Sequence, residues 1–313
     1  MAEMTYRPLG ESGLIVSAVG LGCNAFGTRI EAETTDLVVD TALEHGITLF
    51  DTADIYGHGQ SEELLGAALG TRRDQVVVAT KFGGDMKGAN GPDWGARGSR
   101  RYIRRAIEAS LRRLDTDWID LYQIHFPDAL TPIEETIAAL DELITEGKVR
   151  YIGSSNFDGW QVVDADWVAR SSGFQRFISA QNKYSLYDRT AEDELIPACE
   201  HFGVGVLPYY PLEYGLLSGK YRRDEPAPAG TRLSARPALL EAADFDRIEA
   251  LERFAAEQGV GILDIAIGGL AAQPAVASVI AGATRPEQVA ANVAALGWQP
   301  TAADLAALDE LTD

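Results

Sequence analysis

The sequence predicts an α/β protein built as a parallel (β/α)8 TIM barrel, with an N-terminal hairpin and long loops at its active-site end. Three observations lead there. Short apolar runs of strand length alternate with amphipathic helical stretches along the chain, eight strands in all. Nearly every run stops at a reactive or hydrogen-bonding side chain: Ile47–Phe50 before Asp51, Val76–Thr80 before Lys81, Asp117–Ile124 before His125. Val149–Ile152 runs into Gly153-Ser-Ser-Asn156, Phe177–Ala180 into Gln181-Asn182, and Val204–Leu207 into Pro208-Tyr209-Tyr210. A parallel barrel gathers the C-terminal ends of its strands around one mouth, and active sites form there. Finally, no linker or repeat divides the 313 residues. They suit one barrel of about 250 residues plus insertions, so 1–313 reads as a single domain.

Taken in order, Tyr6 to Val16 reads as a hairpin around Gly10-Glu-Ser-Gly13, placed to plug the barrel bottom, and Ala18–Leu21 as the first strand. Gly20-Leu-Gly-Cys-Asn-Ala25 satisfies the G-x-G-x-x-A dinucleotide fingerprint in form. That fingerprint must open a helix, whereas Phe26-Gly27-Thr28 continues as loop, which argues against a Rossmann domain. Helix Thr35–Glu44 turns Leu37, Val38, Thr41 and Ala42 inward and stops at Gly46. Ser61 is placed to cap the next helix, with Glu62 and Glu63 at its positive end. The glycine-rich stretch Phe82–Gly95 lies at the mouth, either as a lid or substrate wall or as a plain solvated loop. Ser99 starts a helix whose arginines 100, 101, 104, 105, 112 and 113 form an outer face, with Ile103, Ile107 and Leu111 inward. Thr131-Pro-Ile-Glu134 reads as a capping box with proline at the first helical position. Strand–helix units Val149–Ala169 and Ile178–His201 follow, then a long Gly/Pro/Arg-rich loop, Tyr210–Arg236. Helices Phe245–Glu257 and Leu263–Ala271, a last strand Ala277–Ile280, and a second T-x-x-E helix start at Thr284-Arg-Pro-Glu287 complete the pattern.

Composition narrows the partners. With 24% charged and 46% hydrophobic residues the chain has an ordinary globular balance. A formal net charge of −20 disfavours nucleic acid and anionic membrane surfaces. An anionic cofactor would therefore need a local basic cluster. Cys23 and Cys199, the two cysteines, offer neither a disulfide framework nor metal-ligand spacing, so no metal is expected and a reducing cytoplasm is. The start Met1-Ala-Glu-Met has no basic-then-apolar signal, and no apolar run is long enough to span a bilayer.

Phe50-Asp-Thr-Ala-Asp-Ile-Tyr-Gly, Ala79-Thr-Lys-Phe-Gly, Asp120-Leu-Tyr-Gln-Ile-His, Ile152-Gly-Ser-Ser-Asn-Phe, Tyr209-Tyr-Pro-Leu and Leu216-Leu-Ser-Gly-Lys-Tyr form a specific set together. Through them the chain resembles the aldo-keto reductases over essentially its full length. The resemblance implies a catalytic tetrad of Asp51, Tyr56, Lys81 and His125. Tyr56 would protonate a carbonyl oxygen, Lys81 would lower the phenol's pKa, Asp51 would hold Lys81, and His125 would orient the substrate. It also implies NADPH as cofactor, with NADH as an option. Ser155, Asn156 and Gln181 would hold the carboxamide and Tyr209 would stack on the nicotinamide. Tyr210, Pro211, Leu212, Tyr214, Lys220 and Arg232 would follow the phosphates, and Gly282, Thr284, Gln288 and Asn292 the adenosine end. Asn24, Ile55, Trp94 and Phe126 would face a small carbonyl or sugar substrate. Two departures touch the cofactor end: Ala291 stands where an acid is often found, and Gly282 where one branch has lysine. An NAD(P)+-dependent sugar dehydrogenase and a cofactor-binding regulatory subunit are the alternatives.

Overall fold

The computed structural model describes residues 4–312. A short antiparallel hairpin, β1 (Tyr6–Pro8) and β2 (Ile15–Ser17), precedes eight parallel strands. These are β3 (Val19–Gly22), β4 (Leu49–Asp51), β5 (Val77–Phe82), β6 (Ile119–Ile124), β7 (Val149–Ser155), β8 (Phe177–Gln181), β9 (Gly205–Val206) and β10 (Val279–Gly282). Each pairs with its sequence neighbour, and β10 returns to β3. Parallel bridges Val206 to Val276 and Tyr209 to Ile280 join the remaining edge, so the sheet closes into the expected (β/α)8 barrel. Around it lie α1 (Ala32–Glu44), α2 (Gln60–Leu69), α3 (Arg100–Leu114), α4 (Ile133–Thr145), α5 (Gly159–Ser172), α6 (Leu195–Phe202), α9 (Ile262–Ala271) and α10 (Pro286–Ala294). The short α7 (Pro237–Glu241), α8 (Phe245–Glu257) and the C-terminal α11 (Ala302–Thr312) are additions.

Side chains alternate between the two faces of a strand, and that alternation builds the site. Leu49, Ala79 and Leu121 point into the barrel, where they pack with Leu9 and Val16 of the hairpin. The hairpin is thus a plug, and its tip turns at Gly10, with φ +57, where an added Cβ would lie 2.5 Å from the Gly203 carbonyl. Two residues further along β4 and β5, the same inward phase delivers Asp51 and Lys81; on β6 it delivers Gln123 and then His125. The opposite phase (Phe50, Val78, Tyr122, Ile124) packs under the helices. A third apolar cluster, including Leu216, Leu217, Tyr221, Leu233, Leu251, Ile265 and Trp298, seats the long loop on α8, α9 and α11.

Several local expectations need correction. On α1 the buried face is Thr35, Val38, Val39 and Ala42, while Leu37 is exposed. Ser61 does not cap α2, whose N-cap is Gly59; it is buried, 2.8 Å from the Thr52 hydroxyl, and donates to the Cys23 carbonyl. Pro132 is the N-cap of α4 rather than its first residue, and the Thr131 hydroxyl donates to Asp128 instead of closing a capping box. Arg285 occupies the N-cap position of α10 without a side-chain capping bond, and the Thr284 N–H and hydroxyl both donate to Gln288 Oε1. Ser99 does cap α3, accepting from the Tyr102 N–H. The arginines of α3 are not simply solvated: Arg100 and Arg104 reach Glu142 and Glu146 of α4, and Arg113 pairs with buried Glu62 at 2.6 Å.

Candidate active site

Where β4, β5 and β6 end, Asp51, Tyr56, Lys81 and His125 come together. The Lys81 ammonium is fully buried and donates to Asp51 Oδ2 at 2.7 Å, to the Thr52 carbonyl at 2.9 Å, and toward the Tyr56 hydroxyl at 3.4 Å. Gln181 Nε2 donates to the other Asp51 oxygen at 2.7 Å, so the carboxylate is fixed from both sides. The Tyr56 and His125 rings meet edge-on at 5.9 Å between centroids, and His125 stacks on Phe126 at 4.4 Å.

The charges follow from this packing. Burial works against the Lys81 charge, but Asp51 and then Tyr56 outweigh it and raise its pKa above the usual lysine value. Burial pushes the Tyr56 phenol up to about 12, while Lys81 pulls it in the opposite direction. The expected lowering by Lys81 is therefore present, but desolvation exceeds it. Burial, and then Lys81, holds His125 well below the ordinary histidine value, so its ring is neutral at pH 7.

Asp51, Tyr56 and His125, with Lys81 buried behind them, line a cavity of about 1030 Å³, at the upper limit for small-molecule sites, about 300–1,000 Å³. Among the residues singled out above, Asn24, Ile55, Phe126, Ser155, Asn156, Gln181, Tyr209, Tyr210, Pro211, Leu212, Tyr214, Lys220, Arg232, Gly282, Thr284, Gln288 and Asn292 all line it. Trp94 does not. It is 71% exposed, with the Arg101 guanidinium 4.6 Å over its ring. The same loop does come close to the mouth at Gly84, where an added Cβ would stand 2.2 Å from Ile55 Cγ2.

Asn156 is the hinge of the middle of the cavity. It has φ 58, its Nδ2 donates to the His125 carbonyl at 2.9 Å, and its Oδ1 accepts from the Tyr209 hydroxyl at 2.7 Å. Farther along, Tyr210, Glu213 and Tyr214 also have positive φ. Non-glycine residues in that region cost about 1–3 kcal/mol each and persist where surrounding contacts hold them. Here Lys183 pairs with Glu213 at 2.9 Å, and the Arg232 guanidinium lies over Tyr210 at 4.8 Å and Tyr214 at 5.0 Å.

At the far end Arg29, Lys220, Arg232 and Arg285 line the cavity, and none has a carboxylate within salt-bridge distance among the described residues. Burial first, then their mutual repulsion, lowers the pKa values of Arg29 and Lys220. In a chain of net charge −20 this is the local basic cluster an anionic cofactor requires. A pyrophosphate would replace repulsion with charge-assisted hydrogen bonds, so the residues present fit a nicotinamide dinucleotide. Sequence reasoning overlooked Arg29. Its signal lay in the loop after β3, the same strand-end position that singled out the other site residues. No group of metal-ligating side chains occurs among the described residues.

A barrel with a lysine–carboxylate–tyrosine cluster at its mouth and a cationic cleft beside it defines a nicotinamide-dependent oxidoreductase class. The comparisons agree: the model of the aldo/keto reductase family matches residues 18–313, and the chain belongs to that family. It is 39% identical over 301 residues to an uncharacterized oxidoreductase, YrpG, of Bacillus subtilis, covering 94% of this chain and 91% of that one. It is 38% identical to the NADH-specific methylglyoxal reductase of Escherichia coli, covering 98% of each. A probable voltage-gated potassium channel subunit beta of Oryza sativa is 35% identical, over 95% of this chain and 92% of that one. The protein is an NAD(P)H-dependent aldo-keto reductase.

Proposed function

We propose that the protein reduces a small aldehyde or ketone to the alcohol with NADPH, and that Tyr56 is the proton donor. The observation that carries this reading is Lys81 Nζ bridging Asp51 and the Tyr56 hydroxyl beside a neutral His125. Bound reduced nicotinamide would supply the hydride. Ser155, Asn156, Gln181 and Tyr209 would surround its ring; Tyr210, Pro211, Leu212, Tyr214, Lys220 and Arg232, with Arg29, the phosphates; and Gly282, Thr284, Gln288 and Asn292 the adenosine.

The protein's own part is to place and polarise the carbonyl. Tyr56 donates its proton as negative charge grows on the substrate oxygen, and the phenolate left behind is stabilised by Lys81. His125, being neutral, donates a ring N–H to the same oxygen without competing for Tyr56's proton. Asp51 keeps Lys81 charged and in place, because an unpaired buried ammonium is costly. Asn24, Ile55 and Phe126 form the substrate wall.

The unpaired cations support NADPH, since a 2′-phosphate adds a dianion to a cationic cleft. NADH stays the competing cofactor, with Gly282 and the NADH-specific relative on its side. Two buried free thiols suit a reducing, cytoplasmic compartment, and the closed barrel suits a single domain. Tyr56→Phe tests the central assignment. Turnover should fall by about 10² or more, the range for general acid catalysis, with cofactor affinity unchanged. Near-normal turnover in a step limited by chemistry would refute it.

A further inference from the structure

Behind Tyr56, outside the barrel wall, lies a second polar cluster that the proposed reaction does not use. Its centre is Asp54, fully buried two residues before Tyr56. The Asp54 N–H donates to the Lys81 carbonyl at 3.0 Å, tying the turn that carries Tyr56 to the residue that touches its hydroxyl. The Asp54 side chain accepts from Asn90 Nδ2 at 3.2 Å, while Oδ1 has no hydrogen-bond partner. Asn90 is buried in the glycine-rich loop after β5 and also contacts the Tyr102 hydroxyl at 3.3 Å. Glu62 from α2 lies in the same cluster, fully buried. It accepts from the Thr80 hydroxyl and from Arg113 Nε, both at 2.6 Å. The Tyr122 hydroxyl of β6 is buried there without a partner.

The charges in this buried space do not balance if both acids are ionised. Among the described residues Arg113 is the cation facing it, paired with Glu62 at 2.6 Å and reaching Asn90 Oδ1 at 3.5 Å. Arg113, the Ile55 N–H and the Asn90 amide favour the charged form of Asp54, but burial and the nearby Glu62 outweigh them, a situation that favours protonation. Among the described residues, the neighbouring groups from the packed elements (Glu62, Arg113, Tyr102 and Tyr122) supply no further positive charge.

We propose that Asp54 is a positioning residue, a neutral carboxylic acid whose bond to Asn90 clamps the loop after β5 onto the turn that presents Tyr56. The inference rests on Tyr56 being the proton donor. The clamp ties the Tyr56 turn, through Asn90, to a glycine-rich loop that could otherwise move freely. Burial, with Glu62 next, also moves the Asp54 pKa well above the usual carboxylate value, in keeping with a protonated acid.

The test compares Asp54→Asn, Asp54→Ala and Asn90→Ala by steady-state kinetics, NADPH binding and thermal unfolding across about pH 5 to 8. Asp54→Asn keeps the shape and neutrality, so kcat should stay within about twofold of wild type. Its melting temperature relative to wild type should rise with pH, because an acid with a raised folded pKa loses stability as pH climbs above its unfolded value, about 3.9. Asp54→Ala and Asn90→Ala should lower kcat about tenfold or more with unchanged NADPH affinity, since a misplacement of about 1 Å can cost about 10²-fold. A melting difference independent of pH would overturn the neutral acid. Unchanged kcat in Asn90→Ala, or in a folded Asp54→Ala, would overturn the clamp. If Tyr56→Phe is fully active the donor assignment fails instead, and the pH dependence of Asp54→Asn still reads the acid's charge.

Discussion

Lys81→Met is the perturbation that most directly probes how the site is held together. Lys81 and Asp51 are paired at 2.7 Å with side chains 0% and 4% exposed, so water cannot replace a lost partner. Removing the ammonium leaves Asp51 with one neutral donor, Gln181 Nε2. Breaking a buried pair from one side costs about 3–5 kcal/mol, and at about 2–4 °C per kcal/mol for a large domain the melting temperature should drop by roughly 10 °C. Turnover should fall by about 10²–10⁴, because the phenolate formed at Tyr56 loses its counter-charge. Asp51→Asn strands the charge on Lys81 instead. The double variant removes both charges, so its stability loss should be clearly smaller than the sum of the single losses.

Thermal unfolding and optical measurement of NADPH consumption read the two effects separately. The pH dependence carries its own sign. Lys81 has a raised pKa, so its contribution is complete below about 10.5 and is lost only as pH rises through its higher folded value. The Lys81→Met defect should therefore be constant through the neutral range. In the same variant the phenol, already at about 12, should move further up. Additive losses in the double variant, or wild-type turnover in Lys81→Met, would refute the coupled cluster.

The remaining predictions concern His125 and the cationic end. His125 is neutral when folded but takes a proton when unfolded below about pH 6.5, so stability should be complete above that pH and fall by about 1.4 kcal/mol per unit below it. His125→Gln should lack that slope in urea unfolding between about pH 5 and 7; equal slopes would contradict the neutral ring. Arg232→Ala should weaken NADPH by about tenfold or more and NADH less, one net contact of about 1.4 kcal/mol being worth tenfold. Fluorescence titration with both cofactors measures this, and equal losses would remove Arg232 from the 2′-phosphate.

The barrel and the cluster were readable because both follow from alternation along a strand. Once Leu49, Ala79 and Leu121 face inward, Asp51, Lys81 and His125 must share the mouth, and that phase is written in the local sequence. Helix termini were less readable. Thr131, Ser61 and Thr284 carry the right cap chemistry, but Thr131 and Thr284 bond instead to nearby side chains, Asp128 and Gln288, and Ser61 to the Cys23 carbonyl, a partner no local window contains. Leu37 misled for a related reason. On a short helix, one apolar residue beside the true stripe shifts the apparent face, and only packing against the strands decides it.

The loop from Tyr210 to Arg236 marks where local reading ends. Its shape depends on Tyr210, Glu213 and Tyr214 adopting positive φ, which glycine would announce and these residues do not. What holds them is distant in sequence: Lys183 on Glu213, and Arg232 across the two tyrosines. The same Arg232 faces Arg29 and Lys220, with no carboxylate within salt-bridge distance of any of them among the described residues. It therefore serves two ends at once, fixing a strained backbone through its stacking and lending its charge to the cleft. Because one residue does both, losing it should loosen the cavity wall as well as weaken an anion, and only the difference between NADPH and NADH isolates the charge.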